Sequence, residues 1–454
     1  MLSAVSKKVR LSSLARSKSA TEDAVAPEED GEAFADAAEA QLHPGAHDEG
    51  GLACTNMELL EAQRSAIVEV IKSLGRNLIT GNLDLLKVSL PVRMFEPRSY
   101  LQKLADPWVY PRYLRLAAET ADPVERLKWV VTFFIAGFHR AFERWAKPFN
   151  PILGETWQAG LADGTRIYLE QISHHPPISA FQLEGPDGLY TFTGLSQPSV
   201  SYGTNAVKTT ARGYRVLDFA DGGRIEVHFP TYYLRGLLYT SAPRAEVTGT
   251  AEFVDVRNGL SVEVCFGKLE EARSGTVLAR SDALSGTLFR STPAAPAVAG
   301  SPQVGSPPTA DLDRADSSSS GGNGWQVPAS ALADRNKRSS GSGSWTTLKN
   351  LSTLSLGLRS KSSPAVSETE AGRVAIERCS GNWLSHLDWG ADRYWTLLEE
   401  PHEEWQPEED PLPSDCRYRR DLALLAAGDV KGAQVAKEAL EQQQRQDAKL
   451  RGIH

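Results

Sequence analysis

Glu170-Gln171-Ile172-Ser173-His174-His175-Pro176-Pro177 sets two adjacent imidazoles between a β-prone run and a double proline. Thr165 to Glu170 has the β-branched and aromatic content of a strand. Proline has no N–H to give to a ladder, so pairing must end there or shift to an edge, and the histidines sit at a rim. Consecutive strand side chains point to opposite faces. The two rings therefore converge on one ligand only where the backbone leaves regular geometry, which the prolines favour. Imidazole titrates near neutrality and donates two hydrogen bonds when charged, which suits the pair to holding a phosphate. The other reading of the same residues is a hydrogen-bonded structural pair at a sheet edge.

Further along, short β-rich runs alternate with Gly, Asn and Asp turns: Tyr190 to Phe192, Val207 to Thr210, Tyr214 to Leu217, Arg224 to Phe229, Tyr232 to Tyr239, Ala245 to Val254 and Ser261 to Phe266. Regular turn spacing predicts an antiparallel sheet, and periodicity alone does not separate a sandwich from a barrel. A large barrel can enclose a lipid because alternate positions face inward. Thr292 to Glu370 interrupts the pattern with Pro-, Ser- and Gly-rich sequence that cannot bury enough apolar surface to fold alone. The flanking runs, Ser285 to Arg290 and Arg373 to Trp383, are expected to be neighbours in one sheet, with 292–370 a disordered insertion between them.

Two helices precede the strands. From Asn56 to Leu74, Leu60, Ile67, Ile71 and Leu74 recur near a 3.6 period, with Gly75 as a stop. Pro123 to Trp145 is apolar and aromatic, ends before Lys147-Pro148, and reads as a core helix. Its apolar run, Trp129 to Phe138, falls short of the roughly 20 residues that span a bilayer.

With 454 residues and 41% hydrophobic content the chain can bury one large core. Cys54, Cys265, Cys379 and Cys416 are scattered, which implies reduced cytosolic thiols and no metal site. A net charge of −8 argues against nucleic acid as a partner. The first 21 residues carry Lys7, Lys8, Arg10, Arg16 and Lys18 and no acid, whereas Glu22 to Gln63 has many acids and no Lys or Arg. That sign change marks a tail over 1–55, basic then acidic, ahead of a domain over 56–454. The basic start reads either as an organelle transit peptide or as a solvated arm touching anionic lipid.

The octapeptide resembles the fingerprint of the oxysterol-binding-protein-related family of lipid-transfer proteins, and three more blocks agree in order. Lys147-Pro148-Phe149-Asn150-Pro151-Ile152-Leu153-Gly154-Glu155-Thr156-Trp157 is similar to the family's KPxNPxLGE block. Leu90-Pro91-Val92 with Glu96-Pro97-Arg98-Ser99-Tyr100-Leu101-Gln102 resembles the entry to its lipid-binding domain, and Leu412 to Asp421 resembles its C-terminal region. The resemblance implies a mainly β fold with helices: a large, nearly complete antiparallel barrel with a central lipid tunnel and C-terminal helices. It also implies that the 56–74 helix is a lid over the tunnel mouth, the alternative being a helix packed permanently on the barrel. No pleckstrin-homology or ankyrin region is visible ahead of the domain, so the chain looks like a short member.

Lys437, Glu441 and Arg445 follow at i, i+4 and i+8, which alone describes a solvent-facing charge ladder. The resemblance assigns more. It implies that Lys147, Asn150, Glu155, His174, His175, Lys437, Glu441 and Arg445 bind the headgroup of phosphatidylinositol 4-phosphate. Histidines and arginine would grip the 4-phosphate, the lysines would balance charge, and Asn150 with Glu155 would address inositol hydroxyls or hold the lysines. The implied function is exchange of phosphatidylinositol 4-phosphate for a sterol or phosphatidylserine between membranes, without a cofactor or chemical change. A lipid-dependent sensor or scaffold at membrane contact sites is the alternative. An enzyme is disfavoured, since no GxSxG elbow, HExxH helix or P-loop occurs. The expected location is cytoplasmic and peripheral at membranes. Glu32 to Glu39, around Phe34, resembles a degenerate FFAT motif for a VAP-type receptor of the endoplasmic reticulum, and reads equally as an ordinary acidic segment.

Overall fold

Strand-prone runs that alternate inward and outward can share one large sheet only if something covers the inward side, and here a helix does. The computed structural model describes residues 40–74, 90–203, 205–238, 243–267, 280–292, 369–370 and 372–452. It opens with β1 (Leu52–Ala53) and α1 (Met57–Leu74), followed by β2 (Phe95–Ser99), α2 (Tyr100–Ala105), α3 (Pro111–Glu119), α4 (Pro123–Phe142) and β3 (Lys147–Phe149). The strands β4 (Thr156–Gly160), β5 (Arg166–His174), β6 (Pro177–Glu184) and β7 (Tyr190–Tyr202) form a meander. After them come β8 (Ala206–Arg212), β9 (Arg215–Phe219), β10 (Arg224–His228), β11 (Thr231–Arg235), β12 (Arg244–Asp255), β13 (Leu260–Phe266) and β14 (Ala283–Ser291). The chain closes with β15 (Thr369–Glu370), β16 (Arg373–Asn382), β17 (His386–Trp389), β18 (Asp392–Thr396), β19 (Gln406–Pro407), α5 (Arg420–Ala426) and α6 (Val430–Leu450).

All strands but β2 and β3 belong to one 17-stranded antiparallel sheet. Between β7 and β12 that sheet forks. The first half of β7 pairs with β9, which pairs with β10 and so with the second half of β12. The second half of β7 pairs with β8, which pairs with β11 and so with the first half of β12. Gly213 stands where the chain leaves one branch for the other; its φ of +121° and a Cβ that would lie 2.0 Å from the Leu195 carbonyl oxygen exclude any side chain. From β12 the sheet continues through β13, β14, β16, β17 and β18. The outer strands are β18 at one end and β4 with β19 at the other, and no ladder joins them among the described residues.

The lower inner face is packed by α4. This helix is apolar around most of its circumference, as a helix buried on nearly all sides must be. Phe134 meets Phe192, Phe229 and Phe253, and Phe138 meets Phe266. Gly137 lets the Pro107 carbonyl approach so closely that a Cβ would lie 1.8 Å from its oxygen. Where α4 carries charge, that charge is paired: Arg126 with Asp221 at 2.5 Å and Lys128 with Glu377 at 2.7 Å. No described helix is long and apolar enough to cross a membrane.

Several sequence expectations change at this level. The core helix stops at Phe142 rather than Trp145. The β7 strand runs on to Tyr202, past the expected Phe192, because its second half finds a partner in β8. Residues 40–55, expected in the polar tail, lie against the sheet. Leu52 is buried in the core and pairs with Ala245, and the N–H of His43 donates to the Leu384 carbonyl at 2.7 Å. Asp282, fully buried, accepts from the Gly51 N–H, so a few well-placed contacts order a segment whose composition is polar. Residues 1–39, including the segment around Phe34, lie outside the described residues. So do 293–368, but β14 and β16 on either side pair with each other as expected. The four cysteines are free thiols.

Candidate functional site

The histidine stretch forms a hairpin at the upper rim of the sheet. The β5–β6 ladder shifts register between Gln171 and Ser173 and closes with His174 opposite Pro177. The turn is tied internally, with Ser179 Oγ donating to Gln171 Oε1, Gln171 Nε2 to the Ser173 carbonyl and Ser173 Oγ to the Pro176 carbonyl at 2.6 to 2.7 Å. The irregular register brings the rings together: His174 and His175 meet edge to face at 4.5 Å. His174 is half-buried and His175 exposed. Burial pushes His174 below its ordinary value, helped by His175 and Arg451 and opposed by Glu441, so the hairpin faces the last turns of α6.

Beside the hairpin, β2 and β3 pair in parallel, with Phe95 opposite Lys147. Lys147 Nζ lies 4.8 Å from the Phe95 ring centroid and Lys437 Nζ, from α6, lies 5.6 Å from the same ring. Two ammonium groups thus share one aromatic ring. Lys147 donates to Asn150 Oδ1 at 2.7 Å and Lys437 to Glu441 Oε1 at 2.5 Å. Burial, and then the Lys437 ammonium, bring Lys147 down to about 8. The Val92 N–H donates to Gln434 Oε1 at 2.8 Å and anchors α6 beside this pair. Arg445 is exposed and makes no hydrogen bond or ion pair among the described residues. The rim therefore gathers cations from three distant segments, with Glu441 as their neighbouring carboxylate, and its chemistry is that of an anion receptor.

One nominated residue is placed elsewhere. Glu155 is 2% exposed, and its carboxylate accepts from Ser99 Oγ, from Arg419 Nη1 at 2.9 Å and from the Ile152 N–H at 3.0 Å. Burial raises its carboxyl above the ordinary range, against the pull of Arg419. It braces the 150–155 loop from below and holds neither lysine. Above the rim lies α1, with Gln63 Nε2 donating to the Trp145 carbonyl at 3.0 Å and Arg64 Nε to the Leu237 carbonyl at 2.7 Å. It thus spans from the end of α4 to the end of β11.

The family model described as Oxysterol-binding protein matches residues 73–296. This chain belongs to the oxysterol-binding protein family. Oxysterol-binding protein 9 of Dictyostelium discoideum is 39% identical over 221 residues, 48% of this chain and 51% of that protein. Oxysterol-binding protein-related protein 8 of Homo sapiens is 34% identical over 218 residues, 45% of this chain and 24% of that protein. The matched part thus spans about half the length of the first relative and about a quarter of the second. Among solved structures, the Osh3 ORD in complex with PI(4)P from Saccharomyces cerevisiae superposes with a TM-score of 0.54 at 20% identity, covering 84% of each chain. The Osh1 ORD domain in complex with ergosterol superposes with a TM-score of 0.53 at 18% identity, covering 91% of this chain and 84% of that one. At such identities these are likenesses of fold.

In this member of the oxysterol-binding protein family the buried hub under the rim is Arg419, which sequence reasoning passed over. It pairs with Asp421 at 2.6 Å and Glu155 at 2.9 Å, donates to the Asn150 carbonyl at 2.8 Å and lies 5.5 Å from the Phe149 ring. Its place inside the Leu412 to Asp421 block, which resembles the family's C-terminal region, was the available signal. Arg451 was missed because it falls off the stripe through Lys437 and Arg445. A separate cluster, His43, His139 and Glu143, places three ligand-type atoms within 4.8 Å of one another. Both His139 nitrogens are engaged, by Tyr110 and Glu143, and His43 Nδ1 accepts from the Gly45 N–H. These lone pairs are already committed to hydrogen bonds.

Proposed function

We propose that this chain is a lipid-transfer protein that extracts phosphatidylinositol 4-phosphate from one membrane and exchanges it for a second lipid, a sterol or phosphatidylserine, at another. The observation that carries this reading is the cluster of cations around Phe95, in a chain whose sheet also has inward-facing apolar residues, Val200, Val207, Tyr232 and Leu234, that are only half-buried. Lys147, Lys437, His174, His175 and Arg445 supply the charge for a phosphate, Asn150 offers its amide to ring hydroxyls, and Glu441 orients Lys437. Acyl chains then run down the inner face, and α1 acts as the lid. The fold likeness to Osh3 with PI(4)P and to Osh1 with ergosterol or cholesterol supports both ligand classes. A carrier is favoured over a hydrolase because Ser173 Oγ donates to the Pro176 carbonyl and not to an imidazole, so the hairpin holds no activated nucleophile. The chain would work at the cytoplasmic face of membranes, including endoplasmic reticulum contacts reached through a VAP-type receptor and the segment around Phe34.

The test is liposome-to-liposome transfer of phosphatidylinositol 4-phosphate by wild type and by His174→Ala/His175→Ala, with cholesterol or phosphatidylserine in the acceptor. Transfer that the double variant abolishes and one counter-lipid accelerates supports exchange. A folded wild type that binds the lipid but moves none refutes the carrier reading in favour of a lipid-dependent sensor.

A further inference from the structure

The inner face of the forked region has two halves. The lower one is filled, with Phe192, Leu217 and Phe253 buried against or beside α4. In the upper one Val200, Val207, Thr209, Tyr232 and Leu234 share the inward face, as their register and the packing of Tyr232 on Phe138 and Phe142 show. All five are only half-buried, so the inward side of the upper half keeps accessible space that the lower half has lost. From Ser196 to Tyr202 β7 climbs about 20 Å, room for one extended lipid chain.

A cation stands at the floor of that space. Arg215 begins β9 opposite Gly194, two positions from Ser196 on the same inward face. It is 3% exposed and its guanidinium lies 4.4 Å from the Phe229 ring centroid. Its guanidinium donates to the carbonyls of Ala211 at 3.5 Å, Arg212 at 3.4 Å and Gly213 at 3.2 Å, long for charge-assisted bonds. Among the described residues no carboxylate pairs with it; the groups that face it electrostatically are the phenols of Tyr100 and Tyr232. Tyr100 Oη lies 3.0 Å from Ser196 Oγ, so a hydroxyl pair shares this level.

A buried charge without a counter-charge is costly, and a guanidinium is matched best by a planar anion that takes two of its N–H groups. We propose that Arg215, with Tyr100, Ser196 and Tyr232, forms a floor station for the carboxylate of a long-chain amphiphile that enters head first, its apolar chain rising toward α1. The inference rests on the exchange reading in one respect: it makes the second lipid acidic, where a sterol hydroxyl would leave the guanidinium charge unbalanced.

The experiment uses the full chain and cis-parinaric acid, a fluorescent long-chain carboxylate, displaced by palmitate or by hexadecan-1-ol. Palmitate is expected to displace the probe at least thirtyfold more effectively than the alcohol. Arg215→Met should weaken palmitate tenfold or more and erase the preference. Because Arg215 also ties the β8–β9 turn, the decisive companion is Tyr100→Phe/Ser196→Ala, which leaves those carbonyl contacts in place and should weaken palmitate several-fold. Equal displacement by acid and alcohol, or an unchanged preference in either variant once folding is confirmed by circular dichroism, overturns the station. A wild type that binds palmitate selectively but not phosphatidylinositol 4-phosphate overturns the exchange reading and leaves the station standing. One that binds phosphatidylinositol 4-phosphate and cholesterol without preferring acid to alcohol overturns the station alone.

Discussion

Replacing Lys147 by methionine should stabilise the free protein while disabling the rim. Burial and the Lys437 ammonium bring Lys147 from its ordinary 10.5 to about 8, with Glu441 opposing. At about 1.4 kcal/mol for each tenfold change in the protonation constant, the charged form carries a penalty of about 3 kcal/mol. Against this, methionine loses the hydrogen bond to Asn150, about 1 kcal/mol, and the contact over Phe95, about 0.5 kcal/mol. The net expectation at pH 7 is a variant more stable by about 1–2 kcal/mol. The sign with pH follows from the depressed folded value. Below about 8 both folded and unfolded chains are protonated and the penalty is full. As pH rises from about 8 to 10.5, the folded chain sheds its proton first and wild-type stability climbs. Urea unfolding of both proteins at pH 7 and pH 10 reads the gap, which should shrink or reverse at the higher pH. Binding of phosphatidylinositol 4-phosphate should fall tenfold or more, since a charge-assisted contact is lost. A variant less stable than wild type at pH 7, or a gap that ignores pH, would refute the placement of Lys147 in a water-poor, cation-crowded site.

Arg419→Met leaves Glu155 and Asp421 buried without their partner and should cost about 3–5 kcal/mol in urea unfolding; a loss under 1 kcal/mol would mean that the hub is solvated. Leu52→Ala should cost about 2–4 kcal/mol if residues 40–55 belong to the fold, and nothing measurable if they behave as a tail. Headgroup affinity should rise as pH falls from 8 to 6, because His174 is depressed in the free protein and a bound phosphate raises it, so binding takes up a proton. Calorimetry at three pH values reads this, and His174→Ala/His175→Ala should flatten the trend.

What was legible in the chain was local. The rim hairpin followed from prolines that cannot donate to a ladder, and the β14–β16 pairing across 292–370 followed from two strand-like runs around Pro-, Ser- and Gly-rich sequence. That Glu155 holds Arg419 and neither lysine could not be read, because Arg419 lies 264 positions away and no spacing rule reaches that far. The fork in the sheet was also out of reach. Only the partners of β7 and β12 decide that each strand serves two branches.

The sequence by itself determined where α1, α4 and many of the strands begin, which residues could carry charge to a rim, and that two imidazoles would stand at a turn. Those outcomes depend on interactions between near neighbours: dihedral limits, missing donors and apolar periodicity. The tertiary structure decided which charges meet. It put Lys147 and Lys437 over one ring, moved Glu155 beneath the loop and left Arg215 without a carboxylate partner among the described residues. Burial and Coulomb interactions act through space, between groups that only the long-range ladders bring together.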